Sequence, residues 1–313
     1  MFLQSKDITL KQFQEASRIC GHVPHECFAA ALSPLALSLA KETIRKAISD
    51  TSDLSDTFRK MSGGGEMVIH RVFQIRPSRE HRIWINCFVE PVSDWAFTEI
   101  MEELRRRRAS AAYDFYCAVK GCSEGGILAG KTFEFHVHDF LTTSSQSFTI
   151  SSLDDPCPTL DIQFTSDSKR FRDKKHFSGD LALSVQSATP CYLQPLSPVF
   201  PSFDSFLYQP GMSDSRFSHL IALQVTVAAK HGIKSKGLED LQASFKDLQT
   251  SLKPSILKLL RPTVNKKMVI LLVVPKTLQA NFKKQSISPL WDKRTAQYIL
   301  ALEEKDVFEA RSS

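Results

Sequence analysis

No C-x-x-C pair occurs in the chain. Its seven cysteines are odd in number and scattered at positions 20, 27, 87, 117, 122, 157 and 191, which speaks against a disulfide framework or a zinc ribbon. Long apolar runs are also lacking. The longest, Met268-Val-Ile-Leu-Leu-Val-Val274, is about a third of the roughly 20 residues that a membrane-crossing helix needs, so it reads as a buried strand. Met1-Phe-Leu-Gln-Ser-Lys6 has neither a continuous apolar segment nor a small-residue cleavage site, so no secretory signal is read there. Synthesis and folding in the cytosol, with no membrane partner, are therefore expected. There is no internal repeat and no low-complexity tract.

What is present is ordinary globular material. The 313 residues suffice for one large domain or two average ones, with 42% hydrophobic and 24% charged residues. A formal net charge of +6 favours a polyanionic partner. Much of the excess lies in two patches, the run Arg105 to Arg108 and the mixed stretch Lys169-Arg-Phe-Arg-Asp-Lys-Lys175. Either patch also fits a solvated helix face or a charged loop.

Helical spacing recurs from Phe13 to Phe28 and from Leu32 to Ile48, broken by Gly21-His-Val-Pro24, and predicts two helices joined by a turn. Ser62-Gly-Gly-Gly65 ends that pattern. Val68 to Ile75 and Arg82 to Glu90 then read as a hairpin around the loop Arg76-Pro-Ser-Arg-Glu-His81. Ser93-Asp-Trp95 signals the start of a helix that runs into the arginines, and a second helix spans Ala109 to Val119. Gly121 to Gly130 reads as a connector. Beyond it, Thr132 to Leu141 carries an apolar stripe of Phe133, Val137, Phe140 and Leu141. Short strands follow at Ser147–Ser151, Leu160–Thr165, Leu181–Val185 and Cys191–Leu193, with the charged stretch as a loop among them. Pro195, Pro198 and Pro201 stiffen the approach to the strand Phe203–Tyr208, and His219–Val227 is a strong β run. Leu238–Leu252 reads as an amphipathic helix, Met268–Val274 as the buried strand and Leu290–Leu302 as a closing helix. Strands alternating with helices argue for a sheet covered by helices.

Gly125-Gly-Ile-Leu-Ala-Gly-Lys-Thr132 matches the phosphate-binding P-loop expression. A working P-loop follows a buried strand, yet Tyr113 to Lys120 before it has helical spacing, and no acid-tipped strand follows within about a hundred residues. His136 and His138 stand two apart on one helix and point to different sides, so they read as structural or surface groups.

A better constellation is spread over three elements. Asp204 is a lone acid in an apolar and aromatic strand, a costly placement unless its carboxylate has a partner. Gln224 and Thr226, two apart in a β run, share one face of the sheet. Glu134 lies near the start of a helix between Phe133 and Phe135. These oxygens could converge on a hard cation such as Mg²⁺, which needs only one or two carboxylates because it keeps several waters. A purely structural account also fits, with Asp204 capping a turn, Gln224 and Thr226 lining a strand face and Glu134 exposed on its helix.

Tyr192-Leu-Gln-Pro-Leu-Ser-Pro-Val-Phe-Pro-Ser-Phe-Asp-Ser-Phe-Leu-Tyr208, then Ile221-Ala-Leu-Gln-Val-Thr-Val-Ala-Ala-Lys-His231 and Lys236-Gly-Leu238, resemble the C-terminal nuclease-like module of fungal Crinkler and retrotransposon-hot-spot type proteins. Gly130-Lys-Thr-Phe-Glu134, with His138 one turn later, is similar to that module's opening helix. Cys20-Gly-His-Val-Pro-His25, the hairpin near Phe73 and Ser93-Asp-Trp-Ala-Phe97 resemble the end of the P-loop ATPase domain that precedes the nuclease in larger members. The resemblance implies three regions: a lid remnant over 1–60, a hairpin with connector helix over 61–109, and a restriction-endonuclease-like domain of the PD-(D/E)XK superfamily over 110–308. The implied fold is α/β with an αβββαβ core. His25 stands where the lid motif carries arginine and the ATPase body is absent, so the resemblance implies a truncated or reduced member that does not bind and hydrolyse ATP by itself.

For function, the resemblance implies a DNA-directed nuclease dependent on Mg²⁺ or Mn²⁺, in an effector with a cytoplasmic or nuclear destination. Asp204 would be the main ligand, Glu134 and Gln224 supporting ligands, and Lys230 an electrostatic stabiliser. Lys169, Arg170, Arg172, Lys174 and Lys175 would contact phosphates. The family's triplet is acid-x-Lys, whereas Gln224-x-Thr226 stands here. An amide keeps the oxygen but loses a charge, and a unit pair at 4 Å is worth about 4 kcal/mol at an effective dielectric near 20. Thr226 cannot supply the lysine's charge, which leaves Lys230 or Lys234 to reach in from beyond the strand. The competing expectation is a noncatalytic effector that keeps the fold and binds nucleic acid or a host protein.

Overall fold

The computed structural model describes residues 8–62, 71–77, 87–108, 110–122, 125–143, 146–154, 159–196, 199–212 and 214–310. It is a mixed α/β protein that divides into two compact units, one up to Thr132 and one from Phe133. Among the described residues, no helix is long and apolar enough to cross a membrane.

The first unit is mostly helical. Where two helices were expected there are three: α1 (Leu10–Cys20), α2 (Pro24–Ala31) and α3 (Pro34–Asp50). The extra break has a local cause. Ser33 caps α3 through Ala36 N at 3.1 Å and Pro34 occupies its first turn, so one apolar stripe is carried by two helices. Gly21 turns the chain after α1 with φ +68°, where a Cβ would lie 1.7 Å from the Val92 carbonyl oxygen. An unforeseen α4 (Leu54–Ser62) follows. The expected hairpin is present as antiparallel β1 (Phe73–Pro77) and β2 (Cys87–Pro91). Its loop from Ser78 to His81, and the glycines at 63–65, lie outside the described residues, as does Pro198. Ser93 caps α5 (Asp94–Arg107), its hydroxyl accepting from Ala96 N and donating to the Ile19 carbonyl. α6 (Ala111–Lys120) matches the second expected helix.

α7 (Gly126–Thr143) runs across the boundary of the units and starts four residues before the expected connector ends. The P-loop pattern therefore lies within a helix that follows another helix. Lys131 pairs with Asp94 at 2.9 Å.

The second unit is built on an eight-stranded sheet of order β4-β3-β10-β9-β8-β7-β6-β5. Its strands are β3 (Ser147–Ser152), β4 (Leu160–Gln163), β5 (Ser168–Phe171), β6 (Cys191–Pro195), β7 (Ser205–Tyr208), β8 (Phe217–Val225), β9 (Lys267–Pro275) and β10 (Thr295–Leu302). β6, β7 and β8 form an antiparallel meander, and β9 and β10 continue it in parallel after crossovers. α8 (Lys174–Gln186), α9 (Ser235–Leu248), α10 (Pro254–Leu260), α11 (Pro289–Asp292) and α12 (Glu304–Glu309) complete the unit. One face of the sheet packs on α8 and α9 through Phe171, Phe177, Phe200, Phe206, Leu241 and Phe245.

Three expectations are corrected. Leu290–Leu302 is mainly the strand β10 rather than a closing helix. Nearly all its side chains are buried, so the period-2 signature of a half-exposed strand is absent and apolar spacing imitates a helix. Leu181–Val185 is the middle of α8, not a strand. The charged loop 169–175 is instead β5 followed by an N-cap, with Asp173 accepting from the amides of Lys175 and His176. By contrast, Met268 to Val274 is a fully buried strand as expected.

Candidate functional site

The site forms where β7 leaves the proline-rich approach and α7 passes over the sheet. Ser202 sits at φ +78°, and its hydroxyl accepts from Lys234 N at 2.8 Å. Gly237, in the first turn of α9, packs so closely that a Cβ would lie 1.8 Å from the Pro201 carbonyl oxygen. This contact gives Lys236-Gly-Leu238 a physical reason: it seats α9 against the segment that carries Asp204.

Asp204 stands one residue before β7. Its amide donates to the Leu223 carbonyl at 2.9 Å, and its Oδ2 accepts from Val225 N at 2.7 Å. The residue is half-buried. Even so, desolvation by surrounding protein pushes its carboxyl well above the usual carboxylate range, the negative charge of Glu134 adds to the rise, and the Val225 amide opposes it. Two acids from distant parts of the chain are thus held within electrostatic reach of each other. That cost is one a cation would offset.

Glu134 comes from the partly exposed side of α7, whose Phe133, Val137 and Leu141 are fully buried. One turn on, His138 is buried too, as is His136, so neither is a surface group. Nε2 of His138 lies 3.7 Å from Glu134 Oε1 and makes no hydrogen bond. Its Nδ1 is 2.6 Å from the Tyr192 hydroxyl, which is 2.7 Å from Ser205 Oγ. Burial raises the Tyr192 phenol far above its ordinary value, so it stays neutral. This chain of polar groups ties α7 to β6 and β7 directly beside the two acids. Glu134 stood out as an acid between two phenylalanines and His138 only through the family resemblance; Tyr192 and Ser205, though within the stretch that carries that resemblance, gave no sign of a polar role, being an aromatic and a small residue in apolar strands.

Gln224 is buried near the end of β8, and its Oε1 has no partner. The β7–β8 register pairs Ser205 with Leu223, so one further step sets Asp204 across from Gln224. Strand alternation turns Gln224 to the face of Leu220 and Ala222, away from that of Ser205. Thr226 is buried, with its hydroxyl accepting from Ala228 N at 3.1 Å, which shapes the turn after the strand. Lys230 is exposed in the following loop, as is Lys234. Among the described residues, no three His, Cys, Asp or Glu side chains lie close enough to hold a metal ion. The oxygen donors held near each other are therefore the two carboxylates of Asp204 and Glu134, a pair that suits a hard cation keeping its waters, while the orphaned amide oxygen of Gln224 stands on the other face of the sheet.

Of the basic residues, Lys174 is spent on buried Asp240 at 2.7 Å and Lys169 donates to Ser184 Oγ at 3.2 Å. Arg170, Arg172 and Lys175 are exposed around β5, the edge strand, and the first turn of α8. The arginine run is paired within its own unit: Arg105 with Glu102, Arg106 and Arg107 with Glu103, and Arg108 with Asp114.

No family model, no curated protein and no solved structure matches the chain.

Proposed function

We propose that the second unit is a restriction-endonuclease-like module of the Crinkler and retrotransposon-hot-spot class that cleaves DNA phosphodiester bonds with Mg²⁺ or Mn²⁺. The observation that carries this reading is the pairing of Asp204 with Glu134: two carboxyl groups within electrostatic reach, one just before β7 and one on α7, the first pushed well up although its Oδ2 accepts from the Val225 amide. Under this reading α7, the β6-β7-β8 meander, α9 and parallel β9 would stand for the αβββαβ core, with β3, β4, β5 and α8 inserted between α7 and the meander.

Asp204 would be the principal ligand with Glu134 beside it, whereas Gln224, expected as a further ligand, has an unpartnered Oε1 but faces away from Ser205 and α7. The cation would supply Lewis acidity toward the scissile phosphate and a more acidic water. The protein's own groups orient and bind. His138, Tyr192 and Ser205 fix α7 relative to β7, and hence the spacing of the two acids. Arg170, Arg172 and Lys175 present exposed charge for the DNA backbone, and Lys230 is the nearest cation in sequence to the strand end.

A second reading, a nuclease-fold protein that binds DNA or a host protein without cutting, is favoured by one specific observation. The family's acid and lysine are replaced by Gln224, a neutral amide, and by Thr226, whose hydroxyl is committed to Ala228.

Plasmid DNA incubated with the protein and with Asp204→Ala, in Mg²⁺ and in Mn²⁺, separates the two. Nicking by the parent alone supports the nuclease. Equal nicking by both, or none by either, removes it, and salt-sensitive DNA binding without cleavage then supports the second reading.

A further inference from the structure

A cavity of ≈ 720 Å³ lies at the C-terminal end of α9 and over α10, within the second unit and built from residues the nuclease reading does not use. Its volume is that of a small-molecule site. The floor is aliphatic, formed by Leu252, Pro254 and Leu257. The rim is cationic, formed by Lys258, Arg261 and Lys266, and its described lining includes no carboxylate and no aromatic ring. Neither Lys258 nor Lys266 joins an ion pair among the described residues.

The rim is positioned by its own hydrogen bonds. With its amide oriented to accept, Gln249 Oε1 takes Arg261 Nη1 at 3.1 Å and Nη2 at 3.3 Å, which leaves other guanidinium donors free. Thr263 and Lys266 close a tight turn, through Thr263 N to the Lys266 carbonyl at 2.8 Å and Lys266 N to Thr263 Oγ1 at 3.0 Å. The field of this rim reaches into the sheet: after desolvation, the Lys266 charge is the next cause holding the His219 imidazole below its usual pKa.

The geometry points to a binding site for an organic anion with an aliphatic body of medium length, such as an alkyl carboxylate. The tail would lie on Leu252, Pro254 and Leu257, removing apolar surface from water. The head group would meet Lys258, Arg261 and Lys266, with Arg261 offering paired donors to a carboxylate. An aromatic or nucleobase ligand fits less well, because no ring is present for stacking.

Decanoate titrated into the full-length protein by calorimetry is the test, with decylammonium and butyrate as controls for charge and tail. The expected result is one saturable decanoate site, about tenfold or more tighter than either control and weakened by salt. The variant Lys258→Glu/Lys266→Glu, which changes two rim residues outside the floor, should bind decanoate about tenfold more weakly. Hydrogen exchange of the unmodified protein gives a readout that needs no variant, with slower exchange expected across residues 249–266 when decanoate is present. The proposal fails if decanoate does not saturate, if decylammonium binds equally, if the charge reversal changes nothing, or if protection appears elsewhere. It also fails if a DNA oligonucleotide, and not decanoate, protects this segment, since the cavity wall would then be a nucleic-acid contact.

Discussion

Asp204 shows how one side chain can cost stability. Burial and Glu134 both favour its protonated form, so its folded pKa lies above the value of the unfolded chain. Between those two values the folded protein binds more protons than the unfolded chain, and stability must fall as pH rises through that interval. Replacing the group with a neutral isostere removes the effect: in Asp204→Asn an amide oxygen can still accept from Val225 N, while the repulsion with Glu134 disappears. The melting temperature of the parent, followed by calorimetry from about pH 4 to about pH 8, should therefore decline relative to that of Asp204→Asn. The variant should equal or exceed the parent at neutral pH without added metal. Adding Mn²⁺ should raise the parent alone, because a ligand bound only to the folded state stabilises it by mass action. Parallel curves for the two proteins would mean that Asp204 is ionised without penalty, and the pairing with Glu134 would carry no functional weight.

At the scale of elements, the approach to β7 is set by backbone contact. Gly237 has no room for a methyl group, since its Cβ would fall 1.8 Å from Pro201 O and 3.5 Å from the Phe203 ring. Gly237→Ala should thus push α9 away from the segment leading to Asp204, costing about 1–3 kcal/mol as overpacking does. Urea unfolding measures the cost, and loss of any metal-dependent activity beyond it would show that the displacement reaches Asp204. This element was partly legible. Lys236-Gly-Leu238 and the prolines stood out in the sequence, as did β8 and β9, because continuous apolar runs bounded by polar residues read as buried strands. The strand β10 did not, since a strand buried on both faces has no alternation to separate it from a helix. Nor did α8, whose N-cap at Asp173 was hidden in a run of charges that resembled a loop. The candidate site was legible only where an ionisable group stood in apolar surroundings, as at Asp204 and Glu134. The Tyr192 and Ser205 contacts that fix their spacing come from tertiary packing between α7, β6 and β7, which no local pattern encodes.

For the whole molecule, the charge excess has to be divided into cations already paired and cations still available. Arg105 to Arg108 look like a polyanion patch in the sequence, yet each has an acidic partner within its unit. Exposed ion pairs are worth little in stability, but they do cancel local charge. Lys174 and Lys236 are likewise held by Asp240 at 2.7 Å and 2.9 Å. Arg170, Arg172 and Lys175 remain as the exposed group nearest the β5 edge. If they carry the DNA contact, replacing all three by alanine should weaken binding to any sequence and flatten its salt dependence. Each lost phosphate contact removes about 0.9 from the slope of log affinity against log salt, so the slope should fall by roughly two to three. Arg106→Ala, altering a paired arginine of the first unit, should leave that slope unchanged. Fluorescence anisotropy with a labelled duplex across a salt series measures both. An unchanged slope in the triple variant, with a reduced one in Arg106→Ala, would place the nucleic-acid contact on the helical unit, far in sequence from Asp204, and would leave cleavage at that site without a bound substrate.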